Sequence, residues 1–125
     1  MATIYLVDDD PDFTEAVRLV LEKEGHTIAT ADNPGSGFAM IQKALPDLLV
    51  LDIMMQSPDD GIVLARKLKK EGFKFPVLML SAIGSHTGMS YDTDNEMLPA
   101  DAFIEKPVMP VALIEKVNQL LAHTK

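Results

Sequence analysis

The 125-residue chain is expected to fold as a doubly wound α/β domain, a five-stranded parallel sheet with helices on both faces. Three observations predict it. Apolar runs of strand length alternate with segments of helical period. The inner runs are apolar throughout, as strands buried on both faces must be. The connections are long enough for crossovers between parallel strands.

The elements follow in order. Thr3 to Val7 is a short apolar run that ends abruptly in Asp8-Asp9-Asp10. Asp10-Pro11 supplies a helix cap followed by proline at the first helical position. The helix places Phe13, Ala16, Val17, Val20 and Leu21 on one face, and Gly25 closes it. Thr27 to Ala31 is the second strand. Asn33-Pro34 repeats the cap-plus-proline signal, Phe38, Ile41 and Leu45 form the next stripe, and Pro46-Asp47 breaks it. Leu48 to Leu51 is a central strand ending in Asp52. The segment Ser57-Pro58-Asp59-Asp60-Gly61 leads into a helix with Leu64, Ala65 and Leu68 inward, stopped by Gly72. Val77 to Leu80 is a fourth strand ending in Ser81, and Ala102 to Ile104 a fifth, followed by Glu105-Lys106-Pro107. The last helix starts near Pro110 and carries Leu113, Val117, Leu120 and Leu121 inward. Between Ser81 and Asp101 the apolar residues form no clear stripe, so the fourth of five helices is expected to be irregular.

Composition narrows the function classes. Residues 1–125 are read as a single domain, and 47% apolar residues suffice for a core without cross-links. The absence of cysteine excludes disulfides, thiolate zinc and thiol catalysis. A net charge of −8 argues against direct nucleic-acid contact, and the run Arg66-Lys67-Leu68-Lys69-Lys70 reads as an exposed helix face with a basic last turn. No stretch is long enough to span a bilayer, the N-terminus lacks the form of a signal peptide, and a cytoplasmic protein is expected.

In an open parallel sheet, ligands bind beyond the carboxyl ends of the strands. There the chain places Asp8 and Asp9, Asp52, Ser81 and Lys106. Three carboxylates in one place repel unless a cation neutralises them, and one lysine is too little. A hard divalent ion, Mg²⁺ or Mn²⁺, fits a set of carboxylates and a phosphate. With it, Asp52 is placed to act as a nucleophile toward phosphorus, with Lys106 and the Ser81 hydroxyl at the phosphoryl oxygens. Singly, each residue has a plainer reading: a capping run, a strand-end hydroxyl, a surface lysine. Their meeting at one edge carries the case.

Four segments, Leu6-Val7-Asp8-Asp9-Asp10-Pro11, Pro46 to Met55, Leu80-Ser81-Ala82 and Phe103-Ile104-Glu105-Lys106-Pro107, resemble the receiver domain of bacterial two-component response regulators. The resemblance spans essentially the whole chain. It implies a flavodoxin-like strand order 2-1-3-4-5, and Asp52 as the acceptor of a phosphoryl group from a sensor histidine kinase or histidine phosphotransfer protein. It implies Asp8 and Asp9 as Mg²⁺ ligands together with Asp52 and the Met54 backbone carbonyl. Ser81 and Phe103 become switch residues, and Lys106-Pro107 a cis peptide. Phe103 without the resemblance would read as plain core. No output domain follows, so action through a downstream protein target or a phosphorelay is expected.

Two stretches depart from the family pattern: the Asp52–Gly61 segment, with Gln56 where proline is usual, and the long glycine-containing 82–101 segment, expected to be mobile until a partner or phosphate orders it. Met54 and Ile83, both apolar, imply slow self-dephosphorylation. An aspartyl-phosphate phosphatase would place a second acid at Met54, and a flavin carrier would need a phosphate loop after the first strand. The alternative is a receiver-like interaction module that works without phosphorylation.

Overall fold

The computed structural model describes residues 2–52, 60–81, 101–105 and 108–123. Their elements run β1 (Thr3–Val7), α1 (Pro11–Lys23), β2 (Thr27–Ala31), α2 (Pro34–Lys43), β3 (Leu48–Asp52), α3 (Asp60–Lys70), β4 (Val77–Ser81), β5 (Ala102–Glu105) and α4 (Pro110–His123). All four strand pairings are parallel, and the sheet order is β2-β1-β3-β4-β5. The expected architecture and strand order are both present. The irregular helix expected between β4 and β5 lies outside the described residues.

The period-two alternation of strand side chains divides the interior into two layers. Ile4 and Leu6 of β1, Leu48 and Val50 of β3, and Leu78 and Leu80 of β4 pack with Val17 and Leu21 of α1 and Leu113 and Val117 of α4. Tyr5 and Val7, Leu49 and Leu51, and Val77 and Met79 face the other way, toward Ile41 of α2 and Leu64, Ala65 and Leu68 of α3. Leu48 to Leu51 have no exposed surface. Each such leucine contributes about 1.5–3 kcal/mol by burial. β3 is therefore the rigid centre on which Asp52 is mounted.

Local signals set the helix ends. The Asp10 side chain accepts from the Asp12 and Phe13 N–H groups, and the Asn33 side chain accepts from Ser36 N–H. Gly25 and Gly72 stand at φ 94° and 89°, in the left-handed region open to glycine, just past α1 and α3. Two core expectations fail in detail. Ala16 is exposed on α1, because the buried face is centred on Val17 and Leu21. Leu45 is 62% exposed, because α2 ends at Lys43 and the extended Ala44 turns the chain outward. Gly37 takes an inward position that the apolar pattern missed. A Cβ there would lie 2.8 Å from Val7 Cγ2, so this close approach of α2 to β1 requires glycine.

Candidate functional site

Strand register builds the site. Val7 pairs with Leu51, so the next residues, Asp8 and Asp52, fall side by side on neighbouring strands about 4.8 Å apart. Both continue the same parity, the face toward α1 and α4. β1 and β3 are also where the strand order reverses, which opens a crevice at their carboxyl ends. Asp8 is 1% and Asp52 4% exposed, an uncommon depth for carboxylates.

Hydrogen bonds hold the turn after β1. The Asp8 N–H donates to the Ala31 carbonyl at 3.1 Å, and the Asp8 Oδ1 accepts from Asp10 N–H at 2.9 Å. Asp9 is exposed and stands beside Asp8. One carboxylate oxygen from each of Asp8, Asp9 and Asp52 lies within 4.8 Å of the others. Three hard anionic oxygens at that spacing fit a divalent cation with room for water or phosphate in its remaining positions.

A cleft of about 560 Å³ opens beside Asp8 and Asp9, with Thr14, Arg18, Thr30 and Ser36 among its lining residues. Arg18 does not serve the acids of the site. Its Nη2 bonds Glu15 Oε2 at 2.6 Å and its Nη1 bonds Glu22 Oε2 at 3.0 Å. The Glu15 hydrogen bond, then the charges of Glu15 and Glu22, raise its pKa above the ordinary arginine value. An exposed cluster of this kind adds little stability, but it keeps the guanidinium turned along α1.

The other residues singled out in the sequence fall differently. Ser81 is the last residue of β4, and its backbone is paired in register with Glu105. The Phe103 ring is partly buried against the layer under α2 and α3, in register with Met79. Met54, Gln56, Ile83 and the Lys106-Pro107 bond lie outside the described residues. The sequence reading missed the cleft residues Thr14, Thr30 and Ser36, which carry no signal of their own and become neighbours only through the β1–β2 pairing.

With an acid pair buried at the switch point of a parallel five-stranded sheet, the chain is a doubly wound α/β domain. Comparison with known proteins gives the family. The response regulator receiver domain matches residues 4–118, and the chain belongs to that family. It is 33% identical to the phosphate regulon transcriptional regulatory protein PhoB of Pseudomonas aeruginosa, over 98% of this chain and 52% of that protein. It is 31% identical to the protein PilH of the same organism, over 98% of this chain and 99% of that one. The chain thus spans about half the length of PhoB and nearly all of PilH. Among solved structures it is similar to the receiver domain of the Francisella response regulator 1452, with 27% identity over the whole of both chains and a TM-score of 0.84. It is also similar to NtrX of Brucella abortus, with 34% identity, 98% of this chain, 27% of that one and a TM-score of 0.85. As a member of the receiver domain family of two-component signal transduction, the chain has a phospho-accepting role. Among the described residues, no helix is long and apolar enough to cross a membrane.

Proposed function

We propose that this receiver takes a phosphoryl group from a phosphohistidine onto Asp52, with Mg²⁺ or Mn²⁺ held by Asp8, Asp9, Asp52 and the Met54 backbone carbonyl. The clustering of three carboxylate oxygens within 4.8 Å at the sheet's switch point carries the reading. The bound ion supplies positive charge that offsets the acids and the incoming phosphoryl oxygens.

In the transfer, an Asp52 carboxylate oxygen forms a bond to phosphorus while the bond from phosphorus to the donor imidazole nitrogen breaks. The imidazole leaves with the electron pair of that bond. The donor is a sensor histidine kinase or a histidine phosphotransfer protein. The rigid β3 strand fixes Asp52, which favours a transfer that depends chiefly on position and charge. Lys106 balances charge on the phosphoryl oxygens and the Ser81 hydroxyl donates to one of them. Ser81 and Phe103 then pass the change to a partner-binding surface. The domain catalyses its own phosphorylation and dephosphorylation and no other reaction. It acts in the cytoplasm, through a downstream protein or as a relay, without touching nucleic acid. Met54 and Ile83 offer no polar group to orient a hydrolytic water, so the acyl phosphate is long-lived.

Incubation with acetyl phosphate and Mg²⁺, followed by intact mass, tests the assignment. The wild type gains one phosphoryl group and Asp52→Asn gains none. Equal gain in both proteins removes Asp52 as the acceptor, and no gain in either leaves the phosphorylation-independent interaction module as the better reading.

A further inference from the structure

The densest group of cations in this acidic chain lies toward the end of the molecule opposite the site. Arg66, Lys67, Lys69, Lys70 and Lys74 supply five of its eleven lysines and arginines within nine residues, with Glu71 the one acid among them. α3 runs back toward the amino edge of the sheet, and the 71–76 segment feeds the start of β4 there. Strands of five residues put this edge about 15 Å or more from the strand ends that carry Asp8 and Asp52.

Compensation of the helix macrodipole accounts for Lys67, Lys69 and Lys70 in the last turn of α3. It does not account for the rest. Lys74 lies beyond the helix. Lys69, Lys70 and Lys74 are exposed and have no carboxylate at ion-pair distance among the described residues. Apolar groups stand among these charges. Val63, one turn before Lys67 on the outer side of α3, is 54% exposed, and Leu45, just past α2, is 62% exposed. Phe38 and Phe73 meet edge to face with centroids 6.3 Å apart, Phe75 lies 6.1 Å from Phe73, and the Lys67 ammonium sits 4.2 Å over the Phe38 ring. The three rings are only partly buried.

We infer that this face, formed by the outer side of α3, the following turn and the end of α2, docks an acidic protein segment that carries an aliphatic or aromatic anchor. The charge complementarity is local and short in range. The chain as a whole carries −8, so a long polyanion such as nucleic acid meets repulsion outside the patch, whereas a compact acidic segment does not. The exposed Val63 and Leu45 and the ring edges give the anchor its apolar contact, and the lysines select its flanks. The lysines at the end of α3 and in the following turn lie toward the far edge of the sheet, so a segment held by them leaves Asp52 open to its phosphodonor.

The probe is a short fluorescein-labelled peptide of Glu and Asp around a central Leu-Phe pair, read by anisotropy against the full chain. Its Gln/Asn counterpart and a single-stranded RNA of similar length are run beside it. The acidic peptide is expected to bind, to weaken steadily with added salt, and to lose affinity about tenfold or more with Lys69→Glu/Lys70→Glu, while Val63→Asp also weakens it. These positions are exposed, so the acetyl phosphate labelling of Asp52 stays unchanged and reports an intact fold, while the charge reversal at the end of α3 lowers the urea midpoint only slightly. Three results overturn the inference: no binding of the acidic peptide at low salt, binding unaffected by the charge reversal, or tighter binding of the RNA. Sedimentation that shows the patch occupied by a second copy of the chain overturns it as well.

Discussion

At the amino edge of the sheet, Asp47 and Asp101 each precede a strand and close a two-way bridge with the backbone of the neighbour. Thr3 N–H donates to Asp47 Oδ2 at 2.8 Å while Asp47 N–H donates to the Thr3 carbonyl at 2.7 Å. Val77 N–H donates to Asp101 Oδ2 at 2.7 Å while Asp101 N–H donates to the Val77 carbonyl at 2.9 Å. At the carboxyl edge, Asp8, Asp9 and Asp52 bring their oxygens within 4.8 Å of one another. The same side chain thus serves two ends of the same strands. At one end its charge is spent on backbone donors that a sheet edge would otherwise leave open, and at the other it is set against its own kind. Only the second arrangement stores repulsion that a cation can relieve.

The contrast yields predictions of opposite sign at the two edges. Asp9→Ala should weaken Mg²⁺ binding by about tenfold or more, some 1.4 kcal/mol, in isothermal titration, whereas Asp101→Ala should leave it unchanged. In urea titration without metal, Asp101→Ala should cost about 1–2 kcal/mol, because the part-buried Val77 N–H loses its acceptor. Asp8→Asn should do the reverse and stabilise the metal-free protein by about 1 kcal/mol, since the amide oxygen can still accept from Asp10 N–H while one buried charge is removed. If Asp8→Asn instead destabilises as Asp101→Ala does, the two edges are alike and the comparison fails.

The smallest expected effect concerns His26, also at the amino edge. Its Nδ1 accepts the Ala2 N–H at 3.2 Å. Partial burial, then the positive amino terminus, lower its pKa below the ordinary value, with Glu24 opposing. A lowered folded-state pKa means that the unfolded chain takes up the proton first as pH falls. Stability from this group is therefore level above about pH 6.5 and declines below it, until the folded protein is protonated too. His26→Gln should flatten that part of the acid dependence when urea midpoints are compared at about pH 7.5 and about pH 5.5. An unchanged slope would assign it to other groups.

Much of this was legible in the sequence, for physical reasons that particular residues show. The run Leu48 to Leu51 admits one reading, a strand covered on both faces, and all four residues are fully buried. Asp10-Pro11 and Asn33-Pro34 announce helix starts because capping needs a short acceptor and the first turn tolerates proline, and both caps form. Asp8, Asp9 and Asp52 were readable as a set because parallel strands put all their carboxyl ends on one edge. What escaped depends on distances that a sequence does not carry. In the sequence Asp47 reads only as part of a helix break, and nothing in the pattern singles out Asp101, although an aspartate just before an apolar run is the available signal for both. Gly37 sits where the spacing called for a side chain, because only the approach of Val7 reveals the lack of room. Leu45 was assigned inward on periodicity, but the helix stops before reaching it.

Crystals grown with Mn²⁺ offer the most direct test that one cation serves all three acids. Anomalous scattering is expected to place a single ion against Asp8, Asp9 and Asp52, with the Asp52 carboxylate in direct coordination and an open side toward solvent. An ion bound elsewhere on the acidic surface, with the Asp8–Asp52 crevice holding none at saturating Mn²⁺, would contradict the account.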